Sequence, residues 1–96
     1  MHLTSYRFTG DQDELAAAYD RMFASYPLDS LLFHACALVD DGIVIIDACP
    51  SKQDFEAFST SPEFLHAIDE AGLPRPTIEP FGTVHAARTA AGSLVT

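Results

Sequence analysis

Residues 34–49 read HACALVDDGIVIIDAC, and the fold turns on how this stretch is paired. Apolar residues alternate on both sides of Asp41-Gly42, a pair favoured in two-residue hairpin loops because both loop positions take positive φ. With Asp41-Gly42 as the turn, Asp40 pairs with Ile43, Leu38 with Ile45, Cys36 with Asp47 and His34 with Cys49. Successive side chains of a strand point to opposite faces. One face then collects Phe33, Ala35, Ala37, Val39, Val44, Ile46 and Ala48 and is wholly apolar. The other collects His34, Cys36, Leu38, Ile45, Asp47 and Cys49, so the reactive groups share one side. His34 and Asp47 are diagonal neighbours, about 7–8 Å apart and within reach of a hydrogen bond or one water. A three-residue turn would instead pair Val39 with Ile43 and carry Asp47 and Cys49 away from His34. The Asp-Gly pair favours the two-residue turn.

Working outward, residues 2–10, HLTSYRFTG, alternate and are rich in β-formers. They read as a first strand ended by Gly10. Asp11 then caps a helix and Glu14 reaches back, a capping box. Leu15, Tyr19, Met22, Phe23 and Tyr26 fall on one helical face, a core stripe, and Pro27 stops the helix near Tyr26. Beyond the hairpin, Ser51 caps a second helix bearing Phe55 and Phe58. Ser61-Pro62 restarts it, because Ser caps and Pro suits the first helical position. Phe64, Leu65 and Ile68 continue its apolar face. Gly72 fits a left-handed helix end, and Pro74 prevents continuation. Residues 77–87, TIEPFGTVHAA, read as the last strand. Pro80 cannot donate to a ladder and Gly82 packs little, which places this strand at an edge or on a bulge.

The order β-α-β-β-α-β predicts an α+β domain of the ferredoxin-like kind over residues 1–88. A four-stranded antiparallel sheet carries both helices on one face. Residues 89–96 are expected to be a flexible tail. The second sheet face has no cover within the chain. In the register above it carries Leu38 and Ile45, too apolar to leave wet, so a homodimer joined sheet to sheet is expected.

The chain has 96 residues, 48% of them apolar, enough for one compact core. Its net charge is −9, and its five basic residues make no patch, which excludes binding to a nucleic-acid backbone. No run approaches the roughly 18 apolar residues of a membrane helix. The start, MHLTSYRF, lacks the charged and apolar regions of a signal peptide. A cytoplasmic protein that binds no membrane is expected, with Cys36 and Cys49 as thiols. Their spacing from His34 matches no standard zinc pattern, so no metal site is expected.

His34 and Asp47 are the catalytic candidates. A carboxylate can orient an imidazole whose pKa suits proton transfer near neutrality. The same two residues also fit a satisfied polar pair with no catalytic role. His85, in the last strand, is a second candidate. His2 and His66 read as solvated, and Arg7 as the partner of a surface acid.

The segments YRFTGDQDELAAAYD, LLFHACALVDDG, IVIIDACPSKQDFEAF and AGLPRPTIEPFGTVHAA cover almost the whole chain. Together they resemble small actinobacterial proteins of the antibiotic biosynthesis monooxygenase-like, dimeric α+β barrel superfamily. That superfamily includes oxygenases, isomerases, cyclases, haem-degrading enzymes and members with no known activity. The resemblance implies a homodimer with facing sheets and a pocket in each subunit between sheet and helices. Its quinone-forming oxygenases need no metal or flavin, so no cofactor is implied. They use polar and aromatic pocket residues including Trp, and this sequence has no Trp. Tyr6, Cys36, Cys49 and His85 are the substrate-binding candidates, while Tyr19 and Tyr26 read mainly as core. The leading expectation is a small-molecule enzyme resembling cofactor-independent monooxygenases, acting on aromatic or polyketide-like substrates with His34 as general base. The alternative is a non-catalytic ligand-binding or accessory protein of the same dimeric build.

Overall fold

A computed structural model describes residues 1–26 and 28–93. Strand β1 spans His2–Thr9, helix α1 Gln12–Phe23, β2 Phe33–Val39 and β3 Gly42–Cys49. Helices α2, Lys52–Ser59, and α3, Pro62–Ala71, precede β4, Thr77–Thr83. The main sheet is antiparallel, with strand order β2-β3-β1-β4. This α+β arrangement, with three helices and a four-stranded antiparallel sheet, is compatible with a ferredoxin-like fold. No helix among the described residues is long and apolar enough to cross a membrane.

Local chemistry sets the helix boundaries. Asp11 caps α1 by accepting a hydrogen bond from the Glu14 amide at 3.0 Å. Ser51 caps α2 through the Asp54 amide, and Ser61 caps α3 through the Phe64 amide with Pro62 in the first turn. Gly72 closes α3 in the left-handed conformation at φ 83°, a backbone conformation that residues with a Cβ rarely adopt. Helix α1 ends at Phe23, before Tyr26, and the expected stop at Pro27 lies outside the described residues.

The central hairpin keeps a two-residue loop but places it one position earlier than expected. Asp40 and Asp41 form the loop, and Val39 pairs with Gly42. Leu38 therefore faces Ile43, Cys36 faces Ile45 and His34 faces Asp47, a slip of two residues from the predicted pairing. No non-glycine residue described has positive φ, so Asp40 and Asp41 do not form the turn that the Asp-Gly pair suggested. Gly42 serves another purpose. It sits at φ 153° beside β1, and a Cβ there would lie 2.0 Å from the Phe8 carbonyl oxygen. The glycine answers strand crowding rather than loop geometry.

A slip of two preserves which side chains share a face. Which face meets the helices is nevertheless the reverse of the expectation. Ile45 is 4% exposed and belongs to the helix-covered core, together with Tyr6, Phe8, Leu15, Met22, Ile43, Phe64 and Ile68. The cause is β1. Tyr6 pairs with Ile45 and Phe8 with Ile43, so the large aromatic side of β1 draws the odd-numbered residues of β3 inward. Phe33, Ala35, Ala37, Val44 and Ile46 thereby fall on the open side. Burying a ring the size of Phe8 is worth about 1.5–3 kcal/mol, and the small Ala35 and Ala37 side chains offer nothing comparable.

At the sheet edge, β4 carries the expected bulge. Pro80 pairs with Thr4 and Gly82 with Leu3, leaving Phe81 as the extra residue. Strand β4 stops at Thr83, opposite His2, and just beyond it the Val84 amide donates to the Met1 carbonyl at 2.8 Å. His85 therefore lies beyond the strand rather than in it. The expected tail is partly structured: β5, Arg88–Thr89, and β6, Gly92–Ser93, form a short hairpin. The Thr89 hydroxyl steadies it by accepting from the Ala91 amide and donating to the Gly92 carbonyl. Residues 94–96 lie outside the described residues.

The crowding at Gly42 makes a direct prediction. Gly42→Ala combines a strained backbone with a clash against immovable main chain, and should cost at least about 2 kcal/mol. A urea unfolding midpoint equal to that of the native chain would contradict it.

Candidate functional site

The register of β2 on β3 sets His34 directly opposite Asp47. His34 Nδ1 and Asp47 Oδ1 are 2.6 Å apart, and the carboxylate side chain is 4% exposed against 12% for the imidazole. An ionised carboxylate only accepts, so Nδ1 carries the proton and donates to Asp47. That assignment follows from the bonding network rather than from observed hydrogens. It leaves Nε2 as an acceptor.

Helix α1 fills that position. Tyr19 Oη lies 2.6 Å from His34 Nε2 and donates to it. Tyr19 and Phe23 are one helical turn apart, and both pack on the imidazole. The Phe23 ring centre is 4.9 Å from that of His34, and the Tyr19 ring lies almost parallel to it at 10°. The result is a continuous chain from a buried carboxylate through an imidazole to a half-buried phenol. Three elements supply it: β3, β2 and α1.

The acids around Asp47 are held protonated. Burial pushes the Tyr19 phenol up, with smaller contributions from Cys36, Asp47 and Asp20. Burial likewise raises the Cys36 thiol, helped by Asp20, and the Cys49 thiol, helped by Asp47 and Asp54. Tyr6 is raised far more, by burial first and then by Asp47, Cys49 and Tyr26. Each of these groups is thus a hydrogen-bond donor rather than an anion near neutral pH.

The structure joins His34 and Asp47 and scatters the other candidates. Cys36 lies one residue pair from His34–Asp47 on the same face and is half-buried. Cys49 is buried opposite His2, two residues beyond Asp47. Tyr6 is buried in the aromatic core, and its Oη has no hydrogen-bond partner among the described residues. His85 is exposed on the open side of the sheet, where it helps line a shallow hollow with Leu3 and Phe81. His2, expected in solvent, is buried instead, stacked on Phe55 at 4.9 Å with Nδ1 3.2 Å from the Thr4 hydroxyl. It shares the inward side of β1 with Tyr6 and Phe8, which leaves it no route to water. His66 is exposed beside Glu70, and Arg7 pairs with Asp41, both as expected.

Tyr19 is the residue that sequence reasoning missed. Its place in an aromatic stripe reads as packing, and only its hydroxyl hinted otherwise. A buried phenol needs a partner for that group. No group of three or more His, Cys, Asp or Glu among the described residues is placed to hold a metal ion. No family model, curated protein or solved structure matches the chain.

The raised phenols and thiols set the alkaline limit of the fold. Unfolded thiols ionise near 9.0 and unfolded phenols near 10.0, while their folded counterparts hold their protons longer. The unfolded chain then binds fewer protons than the folded one, so stability is full below about pH 9 and falls as pH rises beyond it. Urea midpoints should drop between about pH 9 and 11, and phenolate absorbance of the folded chain should appear at higher pH than that of the unfolded chain. All three tyrosines titrating normally in the folded protein would refute this reading.

Proposed function

We propose that the protein is a small-molecule enzyme working by acid–base chemistry, of the cofactor-independent monooxygenase type suggested by the sequence resemblance. The single observation that carries this reading is the Asp47–His34–Tyr19 chain, with two contacts of 2.6 Å. A substrate proton passes to Tyr19 Oη as the phenol's own proton moves to His34 Nε2. The Asp47 carboxylate stabilises the resulting imidazolium and fixes its tautomer. The substrate is an aromatic or polyketide-like compound with an acidic phenol or α-carbonyl hydrogen. Its anion then reduces dioxygen: a C–O bond forms to give a peroxide, which takes up a proton and breaks its O–O bond with loss of water, leaving a carbonyl at that carbon, so that the carbon skeleton supplies the electrons and no metal or flavin is required.

A second reading has its own support. Both Tyr19 and Phe23 pack on the imidazole, as they would around a purely structural polar pair. In that case the protein is a non-catalytic ligand-binding or accessory dimer, and the chain only ties α1 to the sheet.

One experiment separates the two. Dioxygen uptake is followed with a panel of naphthols and anthrones, without added metal, alongside thermal unfolding of the same preparations. His34→Gln keeps an amide donor for Asp47 and should fold, yet lose about 10²–10⁴ in rate. Tyr19→Phe should lose a comparable factor if the proton leaves through the phenol. Normal turnover per folded molecule in His34→Gln would defeat the catalytic reading.

We also infer a homodimer joined through the open sheet face. Exposed Phe33 and Ala37, with half-buried Leu3, Ala35, Val39, Val44 and Ile46, support this, because that side is mostly apolar. Light scattering should give twice the chain mass, and Val44→Glu should give the monomer mass without loss of secondary structure. A native chain that remains monomeric at micromolar concentration would overturn this.

A further inference from the structure

We infer a small-molecule site on the side of the sheet away from the Asp47–His34–Tyr19 chain: the apolar hollow between the open sheet face and the segment after β4, with Arg88 at its rim, takes an elongated apolar molecule ending in one carboxylate. This goes beyond the acid–base reading and does not require it.

The first observation is how the hollow is built. Leu3 pairs with Ala48, and Ala48 pairs with Phe33, so these three side chains form one row across β1, β3 and β2 on the open side. Beyond β4 the chain turns back over this row. The Val84 amide is held by the Met1 carbonyl at 2.8 Å, and Val84, Ala86 and Arg88 line a hollow whose floor is the row itself. Ala48 is therefore only 1% exposed, although no helix covers its side of the sheet. Its methyl group between the larger Leu3 and Phe33 gives the hollow its depth. The space that remains is about 280 Å³.

The second observation is an unpaired cation. Four of the five basic residues are engaged: Arg7 with Asp41, Lys52 with Glu56, Arg75 with Asp69, and Arg21 with the Ala71 carbonyl. Arg88 has no ion pair and no side-chain hydrogen bond among the described residues, in a chain that carries 14 acids. The Thr89 hydroxyl, which shares the lining, is taken up by the Ala91 amide and the Gly92 carbonyl. Arg88 is thus the charged side chain of an otherwise apolar lining, and it is free to bind.

Charge and size define the occupant. A guanidinium presents its donors in a planar fork that matches a carboxylate. The net charge of −9 repels anions at a distance, which favours one negative charge over the two of a phosphate. The floor of Leu3, Ala48 and Phe33 calls for a hydrocarbon body. Neighbouring strands lie about 4.7–4.9 Å apart, so the row is about 10 Å long from β1 to β2. A cavity of about 150 Å³ holds benzene, so about 280 Å³ holds a carboxylate with a chain of about eight carbons.

The test uses octanoate, with 1-octanol as the neutral analogue and octylammonium as the cationic one. Titration calorimetry and backbone amide shifts are recorded for the native chain, Arg88→Gln, Arg88→Lys, His34→Gln and Val44→Glu. Arg88 is exposed and unpaired, so both of its variants should melt as the native chain does. Octanoate should bind at a 1:1 ratio and shift the Leu3, Phe33 and Ala48 amides. It should bind about tenfold more weakly to Arg88→Gln, and Arg88→Lys should recover most of the loss. Octanol should bind the native chain and Arg88→Gln alike, and octylammonium should not bind. No octanoate binding at millimolar concentration, equal affinity in Arg88→Gln, or shifts confined to other residues would each overturn the site. Leu3, Phe33 and Ile46 also belong to the face inferred to join two copies, whereas Val44 lies nearer the hairpin end of that face. Val44→Glu should therefore bind octanoate at least as tightly as the native chain, and loss of binding there would overturn a site built by one chain. His34→Gln should bind as the native chain does, and no failure at Arg88 bears on turnover at His34.

Discussion

Strand β1 lies between β3 and β4, and its alternation governs both neighbours. His2, Thr4, Tyr6 and Phe8 point one way and are buried, while Leu3, Ser5, Arg7 and Thr9 point the other. Hydrogen bonding fixes the register, so every residue of β3 takes its face from its β1 partner. Ile43, Ile45, Asp47 and Cys49 turn inward because Phe8, Tyr6, Thr4 and His2 do. Strand β2 then inherits the same division from β3. The position of Asp47 under the helices, and therefore the whole polar chain above it, follows from two aromatic side chains on a neighbouring strand.

This explains what was legible in the sequence and what was not. The helix caps at Asp11, Ser51 and Ser61 are local, each set by a side chain and an amide three residues on, and all were readable. The bulge at Pro80 was readable for the same reason. The hairpin register was not, because Gly42 was attributed to the turn when it is demanded by the Phe8 carbonyl on another strand. The orientation of the sheet was hidden by a similar confusion. The stretch of β2 and β3 that counts as most apolar is built largely from Ala and Val. Core placement follows volume as well as polarity, and the bulk sits in Tyr6, Phe8, Ile43 and Ile45. The burial of His2 was missed together with it.

The candidate site was half visible. His34 and Asp47 were placed on one face by alternation, and an even-numbered slip could not separate them. The slip improved their geometry, turning a diagonal pair into a directly opposed one. Tyr19 was invisible because α1 and β2 are linked by loop residues whose path no local pattern dictates. A helical stripe shows which side of α1 faces the sheet, but not which strand lies beneath it. The aromatic spacing that labels Tyr19 as core is correct for its ring and silent about its hydroxyl.

The interior polarity is built around one carboxylate. Asp47 is among the causes that raise Tyr6, Tyr19 and Cys49, so the acids nearest it remain neutral donors. In such a setting the imidazole of His34 is the basic group in contact with both the carboxylate and the half-buried phenol. On the proposed acid–base reading, a proton taken up at Tyr19 would pass to His34 Nε2, where Asp47 already bonds the other ring nitrogen. The same arrangement would also make an inert strut, since opposed donors and acceptors at this depth stabilise whatever they join. What would make the chain a relay rather than a strut is access of a substrate to its phenol end, and Tyr19 is the half-buried end of the chain while Asp47 is the buried one.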